Sequence, residues 1–192
     1  MKMMHILKYL TFSLLFFILF AHGAVQGKDW QVNLTNSEIR FSGKHAGADF
    51  KGVFERWDAD ISFDPNKLDT SHVRVTIETA SAVTGNGLYD GTLKGKDWFD
   101  IENHKSAVFE ASSFQALGEK RYRVQGNLTI KGNRVSLPFD FTLDVEGTDA
   151  KMTASIPLDR IKHGLGVGSD PDASWVSREI GLDIIVNASV LK

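Results

Sequence analysis

Two runs of strict two-residue alternation, back to back between Tyr122 and Val145, restrict the folding of this chain more than any other feature. In the first, Tyr122, Val124, Gly126, Leu128 and Ile130 alternate with Arg123, Gln125, Asn127, Thr129 and Lys131. In the second, Val135, Leu137, Phe139, Phe141, Leu143 and Val145 alternate with Arg134, Ser136, Pro138, Asp140, Thr142 and Asp144. A period of two puts successive side chains on opposite faces of a strand, so each run is a strand with one apolar and one polar face. Between them, Gly132-Asn133 is a favoured pair for a two-residue hairpin turn because both residue types tolerate positive φ. Pro138 falls on the polar side and has no N–H, which marks an edge, a bulge or an irregular ladder position. The segment reads as an antiparallel hairpin.

The same pattern recurs along the chain. A short alternating run, Trp30 to Leu34, precedes one from Ser37 to His45 in which Ile39, Phe41, Gly43 and His45 share a side. From Phe50 to Phe63 the phase changes once, with Gly52 and Phe54 before the change and Trp57, Ala59, Ile61 and Phe63 after it. A bulge near Glu55-Arg56 is expected to restore a single face. Val73, Val75, Ile77, Thr79 and Ser81 share one side of Ser71 to Ser81, and further strands are expected at Ala107 to Leu117, Lys151 to Leu158 and Glu179 to Leu191. Two stretches break the alternation. Residues 82–105, with Leu88, Tyr89, Leu93, Trp98 and Phe99, are expected to form a long functional loop with a helical turn or two around Leu88 to Lys94. Residues 159–177 hold Gly164, Gly166, Gly168 and Pro171. Eight long amphipathic strands, a ninth short one and no long helical pattern predict an all-β antiparallel domain, and nothing in the sequence marks a second.

The first residues read as an address. Met1 to Lys8 carries Lys2 and Lys8 and no acid, Tyr9 to Phe20 is apolar but too short to span a bilayer comfortably, and Ala21 and Gly23 are small. This is the pattern of a secretory signal peptide over residues 1–23, cut after Gly23 or Ala24, and it predicts a periplasmic or secreted mature chain over 24–192. Cleavage removes two of the 22 Lys and Arg and none of the 24 Asp and Glu. The acidic, evenly mixed remainder is a poor match for nucleic acid. The absence of Cys excludes disulfides and thiolate chemistry.

Alternation shows that one face is apolar, not whether it points in or out. Pointing out, it would describe an eight-stranded outer-membrane barrel. Single charges spread along the polar side, and aromatics scattered instead of gathered in girdles, favour the inward sense. An inward face belongs to a sandwich packed solid or to a barrel, and eight strands is the size at which a barrel either fills itself or holds one small ligand. Phe41, Phe54, Phe109, Phe139 and Phe141 fill space, while Gly43, Gly52, Ala59, Ala111 and Gly126 leave it, a mixture that allows an elongated slot. A lipid-like chain suits such a slot, because each buried isoprene unit contributes on the order of 3 kcal/mol. A few units offset an association cost of roughly 4 to 15 kcal/mol.

Lys44-His45 followed by Phe50-Lys-Gly-Val-Phe54, then Ile61-Ser-Phe-Asp64, Thr84-Gly-Asn86, Asp90, Leu93-Lys94, Asp97-Trp-Phe-Asp100, Gly126-Asn-Leu-Thr-Ile-Lys-Gly132, Leu158-Asp-Arg160 and Gly164-Leu-Gly166 resemble the YceI-like family. Members are periplasmic or secreted proteins with a lipocalin-like barrel that hold polyisoprenoids, isoprenoid quinones or other long amphiphiles. The resemblance runs in order over nearly the whole mature chain. It departs at His104-Lys105, where the family often has an aromatic residue followed by Pro, and at Thr92, where a His is common. The second departure bears on how a polar head group is held.

The resemblance implies an eight-stranded antiparallel lipocalin-like barrel with two long irregular loops, binding its ligand without chemical change and without a cofactor. The tail site expected from the inward phases is Phe41, Phe54, Val75, Ile77, Phe109, Val124, Leu128, Phe139, Phe141, Ile156 and Ile184. Tyr89, Trp98, Phe99 and Trp175 in the irregular segments either close over the ligand or plug the barrel end, and His45, Asp90, Lys94 and Arg160 are the candidates for the head group. His45 stands out because an imidazole on an apolar face needs a hydrogen-bond partner. The loops at 82–105 and 159–177 are expected to admit and retain the ligand, and transient membrane contact and homodimerisation are compatible with such a carrier. Enzyme signals are weak: His45, His72, His104 and His163 lack HxxxH or HxH spacing, and there is no G-x-S-x-G elbow. The alternatives are a hydrolase acting on a lipid-like envelope substrate and a ligand-free β-sandwich serving as an interaction module.

Overall fold

The computed structural model describes residues 28–191, and the expected signal peptide lies outside them. In chain order the described residues form strands β1 (Asp29–Val32), β2 (Glu38–His45), β3 (Ala48–Phe54), β4 (Trp57–Ser62), β5 (His72–Glu78) and β6 (Ala82–Val83), then helix α1 (Gly87–Lys94). Strands β7 (Ser106–Gly118), β8 (Arg121–Ile130), β9 (Asn133–Ser136), β10 (Phe139–Glu146), β11 (Asp149–Asp159) and β12 (Glu179–Val190) follow. These are eight staves, four of them broken once: β1 with β2, β3 with β4, β5 with β6, and β9 with β10. Each stave pairs antiparallel with its chain neighbour. The last, β12, returns to the first, facing β1 with Ala188 to Val190 and β2 with Gly181 to Ile185. The barrel is closed, which removes the free edges of an open sheet.

The breaks have local causes. At Glu55-Arg56, where a bulge was expected, the chain turns a corner between β3 and β4, yet Phe54 and the Trp57, Ala59, Ile61 and Phe63 set still face one interior. The Arg56 N–H donates to the Ser81 hydroxyl (3.1 Å), which itself donates to the Glu78 carbonyl (2.7 Å). Strand β5 accordingly stops at Glu78 instead of reaching Ser81. Thr79 and Ser81, on the inward phase but polar, spend their hydroxyls on backbone carbonyls, Thr79 on that of His104 (2.8 Å), and turn the chain.

The central hairpin turns one residue earlier than the Gly132-Asn133 reading. Ile130 faces Asn133, and Lys131 and Gly132 take the two positive φ values, 50° and 77°. Lys131 accepts this because its ammonium donates to the carbonyls of Asp97 (3.1 Å) and Gly164 (3.2 Å), a tertiary bond that local propensity does not register. Pro138 interrupts the ladder without shifting it. Asn127 faces Ser136 and Val124 faces Phe139, three residues on along each strand.

The apolar face points inward: Trp30, Phe41, Phe63, Phe109, Val124, Leu128 and Ile156 are buried in one cluster. The outer face carries ion pairs such as Arg56–Glu78, Arg74–Glu110 and Arg123–Asp140. That is the reverse of an outer-membrane barrel, whose outward face is apolar.

Candidate functional site

The barrel is hollow. An apolar cavity of about 210 Å³ is bordered by side chains from all eight staves and from the segments around Leu93 to Phe99 and Leu165. Every tail-site residue expected from the inward phases, from Phe41 to Ile184, lies on its wall. Sequence reasoning did not nominate Trp30, Trp57, Phe63, Phe50 or Leu182, which also line it, although the alternation had put Trp57 and Phe63 on the inward phase. Both Ala150 and Leu158 border the cavity, so at about 3.3 Å per residue it follows β11 for roughly 26 Å. Gly52 and Gly126 make room for the rings on this wall: a Cβ on Gly126 would collide with Phe109, and one on Gly52 with Phe41.

The two irregular segments border one end of the cavity, and these are tied to each other. Phe99 is buried and Trp98 half-buried over Gly166. The Asp97 carboxylate accepts from the backbone N–H of Gly168 (2.7 Å) and of Ser169 (2.8 Å), and from the Ser169 hydroxyl (2.5 Å). Burial pushes the pKa of Asp97 up, but these bonds and the nearby Lys131 charge outweigh it and hold the group below the usual carboxylate value.

Arg160 anchors the second segment. It is fully buried, pairs with Asp170 (2.6 Å), and donates to the carbonyls of Leu165 (2.7 Å), Val176 (2.9 Å) and Ser177 (3.1 Å). Asp170 also accepts from the N–H groups of Ser174, Trp175 and Val176. Desolvation raises the Asp170 pKa, yet the Val176 and Trp175 N–H groups, the Arg160 charge and the Ser174 hydroxyl together leave it lowered. Arg160 is thus the internal strut of a loop, its guanidinium 5.4 Å from the Trp98 ring, and among the described residues it is also the one ionisable residue on the cavity wall. Asp170 was not legible as its partner, because an Asp in a Gly- and Pro-rich loop carries no local sign of burial.

At the opposite end aromatic side chains pack together. Phe63 meets Phe114, Tyr122 and Phe141 at centroid distances of 5.2, 5.5 and 6.0 Å. The Trp30 indole N–H donates to the Phe63 carbonyl (2.8 Å).

The candidate head-group residues are not gathered around one point. His45 Nδ1 lies 2.9 Å from the Tyr89 hydroxyl, which supplies the partner an imidazole on that face requires. The pair lies outside the lining, with Phe50 packed against Tyr89 at 6.4 Å and itself on the wall. Asp90 accepts from the Thr84 hydroxyl (2.6 Å) and N–H (2.7 Å), bonds that lower its pKa, and so it fastens the start of α1. Lys94 is exposed in the last turn of α1, and Trp175 is 63% exposed. Of the mouth and head-group set, Trp98, Phe99 and Arg160 border the cavity. Among the described residues its remaining wall is apolar, so the arrangement is suited to burying an apolar chain.

Comparison with known proteins agrees with this architecture. The family model described as the YceI-like domain matches residues 30–188. A UPF0312 protein of Pseudomonas savastanoi is 32% identical over 117 residues, a match covering 56% of this chain and 61% of that protein. The chain therefore spans about six-tenths of the length of the first such relatives. A UPF0312 protein of Pseudomonas fluorescens is 29% identical over 169 residues, 80% of this chain and 88% of that one. Among solved structures, Burkholderia cenocepacia BcnA superposes with a TM-score of 0.79 at 29% identity, covering 83% of this chain and all (100%) of that one. A polyisoprenoid binding domain from Saccharophagus degradans superposes with a TM-score of 0.69 at 12% identity, covering 85% and 99%.

Proposed function

The chain belongs to the YceI-like family, and from that premise we propose that it is an exported binding protein that buries a long isoprenoid, such as a polyprenyl lipid or an isoprenoid quinone, and releases it unchanged. The observation that carries this reading is the cavity, about 210 Å³ of apolar space along the barrel whose only ionisable border is a guanidinium already bonded to the protein. A guanidinium stays protonated and cannot act as a general base near neutral pH. The wall therefore offers burial and no bond-breaking group, which favours a carrier over a hydrolase. The description of the Saccharophagus degradans domain as polyisoprenoid binding supports the ligand class. The signal-peptide pattern over residues 1–23 supports a periplasmic or secreted location.

The test is native mass spectrometry of the mature protein purified without detergent, followed by organic extraction. A stoichiometric polyprenyl or quinone species is expected. Protein that emerges ligand-free, and that also fails to take up added isoprenoid, overturns the proposal.

A further inference from the structure

One seam of the barrel is left open by its own chemistry. Strands β10 and β11 pair from Glu146–Asp149 to Thr142–Thr153 and stop there, although the first stave continues back to Asn133 and the second on to Asp159. Carrying the same register onward sets Asp140 opposite Ser155, Phe139 opposite Ile156, and Pro138 opposite Pro157. The N–H groups of Leu137 and Leu143 point away from this seam, donating to Gly126 (2.9 Å) and Lys120 (2.8 Å) on the other side. Backbone direction alternates along a strand, so positions 138 and 140 are the ones that present to β11. Positions 138 and 157 are both Pro and have no proton to give, so the ladder cannot close there. That extended register thus sets two of the chain's 4 prolines opposite each other.

Outside the seam lies a cleft with Asp140, Phe141 and Thr142 on one lip and Thr153, Ala154 and Ser155 on the other. Phe141 and Ile184 border both this cleft and the inner cavity, so little more than their side chains separates the two. Both barrel ends are fastened, one by the Arg160–Asp170 pair and the Asp97 bonds, the other by the Phe63 aromatic cluster. Parting the seam would break no buried ion pair. The geometry points to the β10–β11 seam, and not the loop end, as the route by which the ligand's chain enters and leaves. This rests on the binding function proposed above.

The test uses the mature protein, which has no native Cys. Asp140→Cys with Ser155→Cys places one thiol on each lip, joined by a short bis-maleimide. Asp144→Cys with Lys151→Cys, already facing each other in the paired part of the ladder, is the control. The readout is quenching of Trp30, Trp57 and Trp98, which line the cavity, by a long-tailed ubiquinone added from phosphatidylcholine vesicles. Cross-linking the seam is expected to slow quenching tenfold or more relative to the same double variant left unlinked, with the linked control pair as fast as wild type. Equal rates with the seam linked overturn the route while leaving the carrier reading standing. If wild type and unlinked variants also show no quenching, the binding reading falls and the route with it.

Discussion

His163 is only 1% exposed, and among the described residues its Nδ1 has no hydrogen-bond partner. Burial pushes its pKa below the ordinary 6.5, and the opposing influences of Asn133 and Asp159 do not restore it. Folding therefore disfavours the protonated ring relative to the unfolded chain, which takes up a proton near the ordinary value. The stability this supplies is complete above about pH 6.5 and is lost as the pH falls through that value toward the lower folded one. Thermal denaturation at several pH values between about 8 and 5 is expected to show a flat upper region and a decline below about 6.5. His163→Leu should flatten the decline. Carboxylates with lowered pKa, Asp97, Asp159 and Asp170 among them, lose their contribution only at more acid pH, so the two regions separate. The sequence showed His163 as one of four histidines of the expected mature chain without metal spacing; its burial under the β9 turn, where Asn133 donates to its carbonyl, depends on residues thirty positions away.

Among the elements, the irregular segments were legible as segments but not as a fastening. A helical turn around Leu88 to Lys94 was expected because alternation fails there, and α1 spans Gly87–Lys94 with Asn86 accepting from the N–H groups of Leu88 and Tyr89 at its start. Arg160 read as a head-group ligand or a surface charge, and it is instead the strut of the second segment. Arg160→Leu would leave Asp170 buried without its counter-ion and strand several carbonyls, a change of the most damaging kind. A large fall in melting temperature and new protease cleavage within 159–177 are expected. Arg123→Ala, which removes an exposed partner of Asp140, should leave both measurements near wild type. Equal effects of the two substitutions would show that the Arg160 cluster does not hold the segment.

For the molecule as a whole, a ligand that binds only the folded barrel stabilises it by mass action, by about 2.7 kcal/mol at a hundredfold excess over Kd. For a domain this size that raises the melting temperature by roughly 5 to 10 °C. Protein stripped of lipid and then reloaded is expected to show that rise in differential scanning calorimetry. Phe139→Trp, which adds bulk to the wall, should shrink the rise and the amount of lipid extracted together. A rise undiminished in this variant would place the ligand elsewhere. The alternation along the chain was enough to specify antiparallel strands and to say which side chains share a face, because the pleat is a local property repeated every two residues. The inward phases accordingly named much of the cavity wall. Whether that wall closed around space or packed solid, which ends were stopped, and where Arg160 found Asp170 depend on how eight staves stagger around a ring. Those relations join residues far apart in sequence, as when the Lys131 ammonium donates to the carbonyls of Asp97 and Gly164, and no local period encodes them.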